Sequence, residues 1–512
     1  MSRSIDISET HKEIVQAILR EHLTTSCHVW VFGSRATWLA KEYSDLDLAI
    51  ARKDGTPLSL TVMSALETAF EDSLLPWKVD VIDLHGVSAE FRSAIERDKV
   101  LFSLGVGGWR KSRWGNEISL EYGKSLKGYR NGTGKFQVFG SNGPVGWTDT
   151  ALTQGPGVVL GRKGAYRGVE FSKSSFYVID TAYFIKLKSN LDMRWVYYSI
   201  KHHKLGEIDD GSPIPSTTRS AVYVCNLNVP ELIEQKAIAH ILGTLDDKIE
   251  LNRQTNQTLE AMAQALFQSW FVDFDPVIDK ALAAGNEIPE AFQAKAAARK
   301  ALGDQRLALP EEVTALFPDA FVFTEEMGWI PEGWESKKLS ALLEIKYGKD
   351  HKKLGEGDIP VYGSGGLMRN AEKSLYTGES VLIPRKGTLS NILYVNEAFW
   401  TVDTMFYTIP KHHNIAKYVF YHLKGLDFAS MNVGSAVPSM TTKVLNELSV
   451  ILPNDRVLKK FDDILKTYFK NLLANINQNS NLINIRDTLL PKLISGELRV
   501  ADAEKFLGEI SV

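Results

Sequence analysis

The chain has 512 residues, 44% of them hydrophobic and 24% charged, a composition that excludes wholesale disorder and fibrous repeats and a length that calls for several cores. Its net charge of −3 is unevenly spread: residues 109–233 are basic, while 1–105 and 234–327 are acidic, so total charge neither argues for nor excludes a nucleic-acid partner. Cys27 and Cys225 alone make a disulfide framework untenable, and no apolar run approaches a membrane span or a signal peptide, so a cytoplasmic chain with no membrane contact is expected.

Residues 1–105 read as a separate unit, ending at the glycine-rich stretch 105–108, which reads as a hinge. In HVWVFGSRATWLAKEYSDLDLAI a β run leads into a Gly33-Ser34 turn, and Asp45 and Asp47 then alternate on a second strand. The two-residue period puts both carboxylates on one face. WKVDVIDL is a further strand carrying Asp80, whereas Asp83 falls outside the pattern and reads as a surface or capping residue. Three convergent carboxylates beside a turn of backbone N–H groups suit nucleotidyl transfer, which uses two Mg2+ ions held by oxygen ligands. A lone DLD is commonly a solvated strand edge, but the three elements in this order favour a site.

The motifs GSRA, SDLDL and VDVID resemble the minimal nucleotidyltransferases of the DNA polymerase β superfamily, of the kind found as antitoxin partners of HEPN ribonucleases. The resemblance implies that Gly33 and Ser34 bind nucleotide phosphates, with Arg35 as a triphosphate contact. It implies that Asp45 and Asp47 coordinate the metals, that Asp80 completes the catalytic site, and that the cofactors are Mg2+ (or Mn2+) and a nucleoside triphosphate, with ATP expected.

Residues 109–233 and 328–455 read as β-rich domains: runs such as GVVLGRKG and SVLIPRKG combine β-branched residues with Gly and Pro punctuation. Between them, in 234–327, Ile238, Leu245, Asn252, Leu259 and Leu266 recur every seven residues, interleaved with Leu242, Ile249, Asn256 and Ala263, which makes a heptad seam. The Ala-rich, acidic stretch 280–326 reads as an amphipathic helical connector, with a partner-binding surface as the alternative. In 456–512 a second seam follows: Phe461, Tyr468, Asn475, Leu482 and Leu489 alternate with Leu465, Leu472 and Asn479. The seams invite pairing into antiparallel coiled-coil helices, each about 35 residues and so roughly 50 Å long, able to hold two globular domains apart. Asparagine at seam positions costs stability and fixes register, so Leu at 252 and 256 is expected to raise thermal stability while permitting mis-registered or oligomeric species.

A shift of 223 positions lays VFGSNG (138–143) on VYGSGG (361–366) and Arg162-Lys163-Gly164 on Arg385-Lys386-Gly387. The same register pairs Asp180-Thr181 with Asp403-Thr404, Gly211-Ser212 with Gly434-Ser435, Thr218 with Thr441 and Pro230 with Pro453. It continues into the helices, where Ile241, Asn252, Asn256 and Leu266 meet Ile464, Asn475, Asn479 and Leu489. Loops rarely keep register across so many elements, so each half is a duplicated unit of globular domain plus helix.

Over 109–512 the sequence resembles type I restriction-modification specificity (S) subunits, most specifically in VFGSNGPVGWTDTALTQGPGVVLGRKGAYRGVEFSKSSFYVIDTAYF, in NVPELIEQKAIAHILGTLDDKIELNRQTNQTLEAMAQALFQSWFVDFDPV and in LLPKLISGELRV. The resemblance implies an α+β multidomain chain: a nucleotidyltransferase fold, then two β-rich target recognition domains that each read half of a split site in double-stranded DNA, separated by coiled-coil helices. It implies that two methylating subunits dock on the helices and supply S-adenosylmethionine chemistry, and that a restriction subunit adds translocation and cleavage; the specificity module itself is non-catalytic. Arg162, Lys163, Arg385 and Lys386 are the candidate DNA contacts, although an Arg-Lys-Gly turn can equally support the fold. Features shared by both halves suit phosphate contact or scaffolding; differences such as 128–135 against 353–357 suit base readout. The rival expectation is a nucleotidyltransferase effector or antitoxin, modifying a protein or RNA, whose DNA-reading half serves for targeting.

Overall fold

The computed structural model describes residues 5–23, 27–41, 43–52, 54–102, 109–209, 211, 215–303, 309–428, 430–431, 439–500, 502, 503, 505 and 508. The expected hinge at 105–108, and Ser212, Gly434 and Ser435 of the repeat, lie outside them. The chain divides into two compact units, residues 1–247 with 483–512 and residues 248–482. No described helix is long and apolar enough to cross a membrane.

The N-terminal domain runs α1 (Glu9–His22), β1 (Cys27–Phe32), β2 (Leu46–Arg52), α2 (Leu60–Glu71), β3 (Val79–Asp83), α3 (Ala89–Asp98) and β4 (Val100–Leu101). Each helix starts where a serine stops the preceding chain: the hydroxyls of Ser8, Ser59 and Ser88 accept from the backbone N–H three residues on, satisfying a donor that the first turn leaves open. The sheet order is β3-β2-β1-β4, with β2 and β3 parallel and the other pairs antiparallel. Alternation sorts its faces. Val29, Val31, Leu46, Leu48 and Ile50 pack against Val15, Leu19, Leu66 and Phe70 of α1 and α2, while Ala49 and Ile82 pack with Leu84, just after β3, and with Ile95 of α3. Burying each such aliphatic side chain contributes about 1.5–3 kcal/mol.

The first globular domain begins with β5 (Arg110–Arg113), α4 (Trp114–Glu117) and β6 (Ile118–Tyr122), followed by β7 (Phe136–Gly140), β8 (Gly143–Thr148), β9 (Gly157–Gly161), β10 (Val169–Ser172), β11 (Tyr177–Val178) and β12 (Ala182–Leu187). It closes with α5 (Met193–His202), α6 (Arg219–Tyr223) and β13 (Asn226–Val229), the last pairing antiparallel with β5. The strands lie in the orders β10-β9-β12-β6 and β11-β7-β8. Then comes the long helix α7 (Leu232–Phe267).

After α7 come α8 (Asp275–Ala284), α9 (Glu290–Leu302), α10 (Glu311–Thr314) and the hairpin β14 (Phe321–Thr324) and β15 (Gly328–Pro331). The expected connector, 280–326, is helical in its described part as far as Thr314 and ends in a strand, and it packs rather than merely links: its Val313 and Phe317 share one core with Phe271, Val277 and Trp334. Its hairpin crosses the expected boundary at 327/328, because Phe321 sits on Phe274 and Phe292 of the preceding segment.

The second globular domain is β16 (Glu335–Lys338), α11 (Leu339–Leu342), β17 (Leu343–Tyr347), β18 (Ile359–Gly363), β19 (Gly366–Ala371), β20 (Tyr376–Pro384), β21 (Leu393–Thr401), β22 (Met405–Pro410), α12 (Ala416–Lys424), α13 (Thr442–Asn446) and β23 (Ser449–Leu452), followed by α14 (Asp455–Ser495). Besides the β16-β23 pair, which matches β5-β13, its six-stranded sheet, β17-β22-β20-β21-β18-β19, repeats the first domain strand for strand, with β21 standing where the first domain has β10 and β11. Even the irregularities recur: the hairpin register slips at Val138/Phe139 and again at Val361/Tyr362.

The offset is 223 from β7 and β18 onward but 225 before them, since Ile118 opens β6 and Leu343 opens β17. Gly132 and Gly355 keep the 223 offset, as do Gly134 and Gly357, which lie so close to the end of the following hairpin that a Cβ would come within 3 Å of its backbone. The insertion is thereby confined to 124–131 against 349–354, overlapping the stretch expected to differ.

The two helical seams pair antiparallel. Within 248–482, Asn252 bonds Asn479 and Asn256 bonds Asn475; within the other unit, Arg486 pairs with Asp246 at 2.7 Å. Ile238, Leu242, Leu245, Ile249, Leu465 and Leu489 are buried as the heptads require.

Candidate functional site

The register of β1, β2 and β3 builds the N-terminal site. Phe32 ends β1 opposite Asp47, so Gly33 turns the chain directly over that carboxylate. Gly33 has φ +71°, and a Cβ there would lie 2.4 Å from Asp47 Oδ2; glycine is required both for the turn and for the approach. The Thr37 hydroxyl donates to the Gly33 and Ser34 carbonyls at 3.0 and 3.2 Å, and Leu39 N–H donates to Ser34 O, which fixes the turn. On the parallel β2/β3 pair, Asp47 and Asp80 are direct neighbours, and Asp45 is exposed one alternation before Asp47. Burial first, then the charges of Asp80 and Asp45, raise the Asp47 pKa: like charges crowd a half-buried carboxylate.

A cavity of about 520 Å³ opens here, lined by Asp47, Asp80, Lys78, Trp77, Phe32 and Phe91 among others. The carboxylates are not preassembled as a cage. Lys78 Nζ lies 2.5 Å from Asp80 Oδ1, and among the described residues no three His, Cys, Asp or Glu side chains are already gathered as a metal site. The donor chemistry still fits a divalent cation, because Asp47 carries a charge its neighbours destabilise and a hard cation takes oxygen ligands.

Arg35 departs from its expected role. It is buried, 6% exposed, gives Nε and Nη2 to Ser44 O and Nη1 to Asp6 O, and lies 4.5 Å over the Trp77 ring. The structure uses it to tie the turn to two neighbouring segments instead of presenting it to a triphosphate. An arginine after a Gly-Ser turn reads the same way in sequence for either use. Asp83 caps, accepting from Leu58 N–H and His85 N–H. Lys78 and Trp77 were not expected; a lysine two residues before an acid on one strand was the available signal.

In the globular domains the Arg-Lys-Gly motif does two jobs. Its backbone is scaffold: the N–H groups of Arg162 and Lys163 donate to Thr181 O, and those of Arg385 and Lys386 to Thr404 O, while Lys163 and Lys386 bridge to Ser216 and Ser439. Its arginine side chain is a platform. Arg162 Nη1 donates to Asp180 O at 3.1 Å and its guanidinium lies 4.8 Å over the half-exposed Tyr122 ring. Arg385 repeats this with Asp403 O at 3.1 Å and Tyr347 at 5.3 Å. Lys163 and Lys386 are exposed.

The first domain adds what the second lacks. Arg219, at the start of α6, stacks on the same Tyr122 at 4.1 Å and lies 5.9 Å from the Tyr183 ring. Burial and then the Tyr122 hydroxyl push the Tyr183 phenol up to about 12. Nothing in the one-dimensional pattern joins residues 122, 183 and 219, and sequence reasoning missed them.

Comparison with known proteins matches two families to different parts of the chain. The type I restriction modification DNA specificity domain family matches residues 122–261 and 331–484, and the polymerase β nucleotidyltransferase family matches residues 13–104. The specificity subunit of type I restriction enzyme HindI of Haemophilus influenzae is 30% identical over 333 residues, 56% of this chain and 71% of that protein. The probable protein adenylyltransferase MntA of the same organism is 42% identical over 93 residues, 18% of this chain and 79% of that protein. A crystal structure of the type I restriction-modification S subunit from M. genitalium shares the fold, with a TM-score of 0.50 and 20% identity over 75% of this chain and 96% of that one.

Proposed function

The chain belongs to the type I restriction-modification DNA specificity family and carries an N-terminal domain of the polymerase β nucleotidyltransferase family, and from that premise we propose that its two globular domains each read one half of a bipartite duplex target. The observation that carries this is the pair of domains alike in topology down to a shared register slip yet different in the 124–131 and 349–354 loops. A common frame meets a common phosphate backbone, and the differing parts discriminate bases. Two methylating subunits dock on the α7 and α14 helices and bring S-adenosylmethionine, and a restriction subunit joins them. In a selection from random duplexes with the methylating subunit present, retained DNA carries two short motifs at a fixed gap; a single uninterrupted motif would defeat the proposal.

The N-terminal domain transfers a nucleotide, from ATP, to a protein or RNA acceptor; the likeness to an adenylyltransferase supports this part of the reading. Asp45, Asp47 and Asp80 would hold Mg2+ (or Mn2+), which supplies the positive charge that offsets the triphosphate. The Gly33-Ser34 turn presents backbone N–H groups to the phosphates, Arg35 keeps the turn in place, and Asp80 would exchange its Lys78 partner to serve as a metal ligand. An acceptor hydroxyl displaces pyrophosphate at the α-phosphorus. Labelling from radioactive ATP that depends on Mg2+ or Mn2+ and disappears in D45N and D47N tests it; no labelled product from the wild type reduces the domain to a nucleotide-binding relic. The rival reading, a transferase effector that DNA binding merely targets, gains if labelling is robust while no methylating subunit co-purifies.

A further inference from the structure

Two guanidiniums, Arg162 and Arg219, lie on one tyrosine ring, Tyr122, at 4.8 and 4.1 Å, and among the described residues neither is paired with a carboxylate. Such a cluster of like charge, in the one strongly basic segment of the chain, is built for an anionic ligand. Its two members differ in kind. Arg162 is anchored through Nη1 to a backbone carbonyl and has an equivalent, Arg385, anchored in the same way on Tyr347. Arg219 has none: the equivalent position is Thr442, whose hydroxyl sits 3.5 Å from the Tyr347 hydroxyl, and the ring beneath, Tyr183, corresponds to Phe406.

The Arg219 guanidinium is held by its face. Its Nε is buried without a partner, and among the described residues its two terminal nitrogens have no protein acceptor. Stacking fixes the plane and leaves the in-plane N–H fork available, the geometry with which arginine takes the O6 and N7 edge of guanine in the major groove. We propose that Arg219 reads a guanine in the half-site recognised by the first globular domain, while Arg162 and Arg385, common to both domains, hold backbone phosphate. This rests on the bipartite reading above. It explains how two domains of one topology can demand different sequences at the same place in the fold: a charged fork over tyrosines in one, a threonine hydroxyl beside tyrosine in the other.

The test is selection from a random duplex library by the full chain in complex with its methylating subunit, comparing wild type with Arg219→Thr, Arg219→Lys and Arg162→Gln. Arg219→Thr should lose preference for guanine at one position of one half-site by about 5- to 150-fold, leaving the other half-site and the gap intact. Arg219→Lys, which keeps the charge and loses the fork, should relax the same position and decides the matter should Arg219→Thr not fold. Arg162→Gln should weaken binding to all sequences alike and lessen the salt dependence. Retained guanine preference in the Arg219 variants, a wild-type motif with no guanine in either half, or a uniform loss in Arg219→Thr like that of Arg162→Gln would each overturn the assignment while the bipartite reading stands. A wild type that selects no two-part motif would remove that reading itself.

Discussion

Replacing one seam asparagine should cost more than replacing two that face each other. Asn252 is 2% exposed and donates through Nδ2 to Gln478 Oε1 and Asn479 Oδ1, both at 2.8 Å. Asn475 Nδ2 donates to Asn256 Oδ1 at 2.9 Å, and Asn256 and Asn479 donate in turn to the Leu472 and Ile249 carbonyls at 3.3 Å. Asn252→Leu therefore strands the Asn479 carbonyl in a partly dry seam, at about 1–3 kcal/mol; Gln478 is exposed and water replaces its partner. Asn252→Leu with Asn479→Leu removes both ends and adds apolar contact, so the pair should couple by about 1–2 kcal/mol in a double-mutant cycle. The simpler expectation, that Leu at 252 and 256 alone raises stability, is amended by this geometry, because both positions lie on α7 and their partners on α14 would be left facing leucine. Only the change at all four positions should stabilise the seam, and it should do so at the expense of unique register. Native-state hydrogen exchange of peptides from 248–262 and 470–482 reads the local opening free energy without assuming that a multidomain chain unfolds in one step, and light scattering reads oligomers. Additive effects of the 252 and 479 changes, or a fourfold leucine variant that stays monodisperse without slower exchange, would refute the reasoning.

Other perturbations follow from single sites. Glu117, 2% exposed and held to about 2 mainly by Arg110, which bonds both its oxygens, has a folded pKa below its unfolded one. Its contribution, at most about 3 kcal/mol, is present above about pH 4.5 and lost as pH falls toward 2, so E117Q should lower the pH 7 stability of the first globular domain and flatten its acid dependence in that window, as read by exchange of 114–122. Gly33→Ala meets Asp47 Oδ2 at 2.4 Å in a φ +71° conformation; nucleotide labelling should fall at least tenfold, with α7 exchange unchanged. Lys417, 2% exposed between Glu379 and Asp462 at 2.6 and 2.8 Å, should cost about 3–5 kcal/mol when changed to Met, since two carboxylates lose their buried partner; combining K417M with Asp462→Leu should recover part of that loss in a denaturant titration of the 248–482 unit.

The sequence disclosed most where periodicity governs structure. The fixed offset of GSNG, RKG and DT foretold one topology used twice, since strands that keep register keep neighbours, and the heptads foretold which helix faces are buried. That Asp47 and Asp80 come together was legible because alternation on adjacent strands fixes their side, whereas Asp45 stands just before β2. Contacts set by three-dimensional approach were not. Arg35 looked like an anion contact until its guanidinium was found on the Ser44 and Asp6 carbonyls. Asn252 announced a polar seam but not which asparagine it would meet. Arg219 had no sequence signature, because stacking on Tyr122 and Tyr183 joins residues separated by dozens of positions through ring faces that carry no spacing rule. The Lys78–Asp80 pair falls between these cases, visible as a K-x-D strand yet silent on whether the lysine turns inward.

The central claim, that this chain dictates a two-part DNA sequence to a methylating partner, is tested most directly by mapping methylated adenines across the genome of cells with and without the gene. The account predicts one motif of two short elements at a constant gap that is methylated with the gene and unmethylated without it. An identical methylation map in both would contradict it.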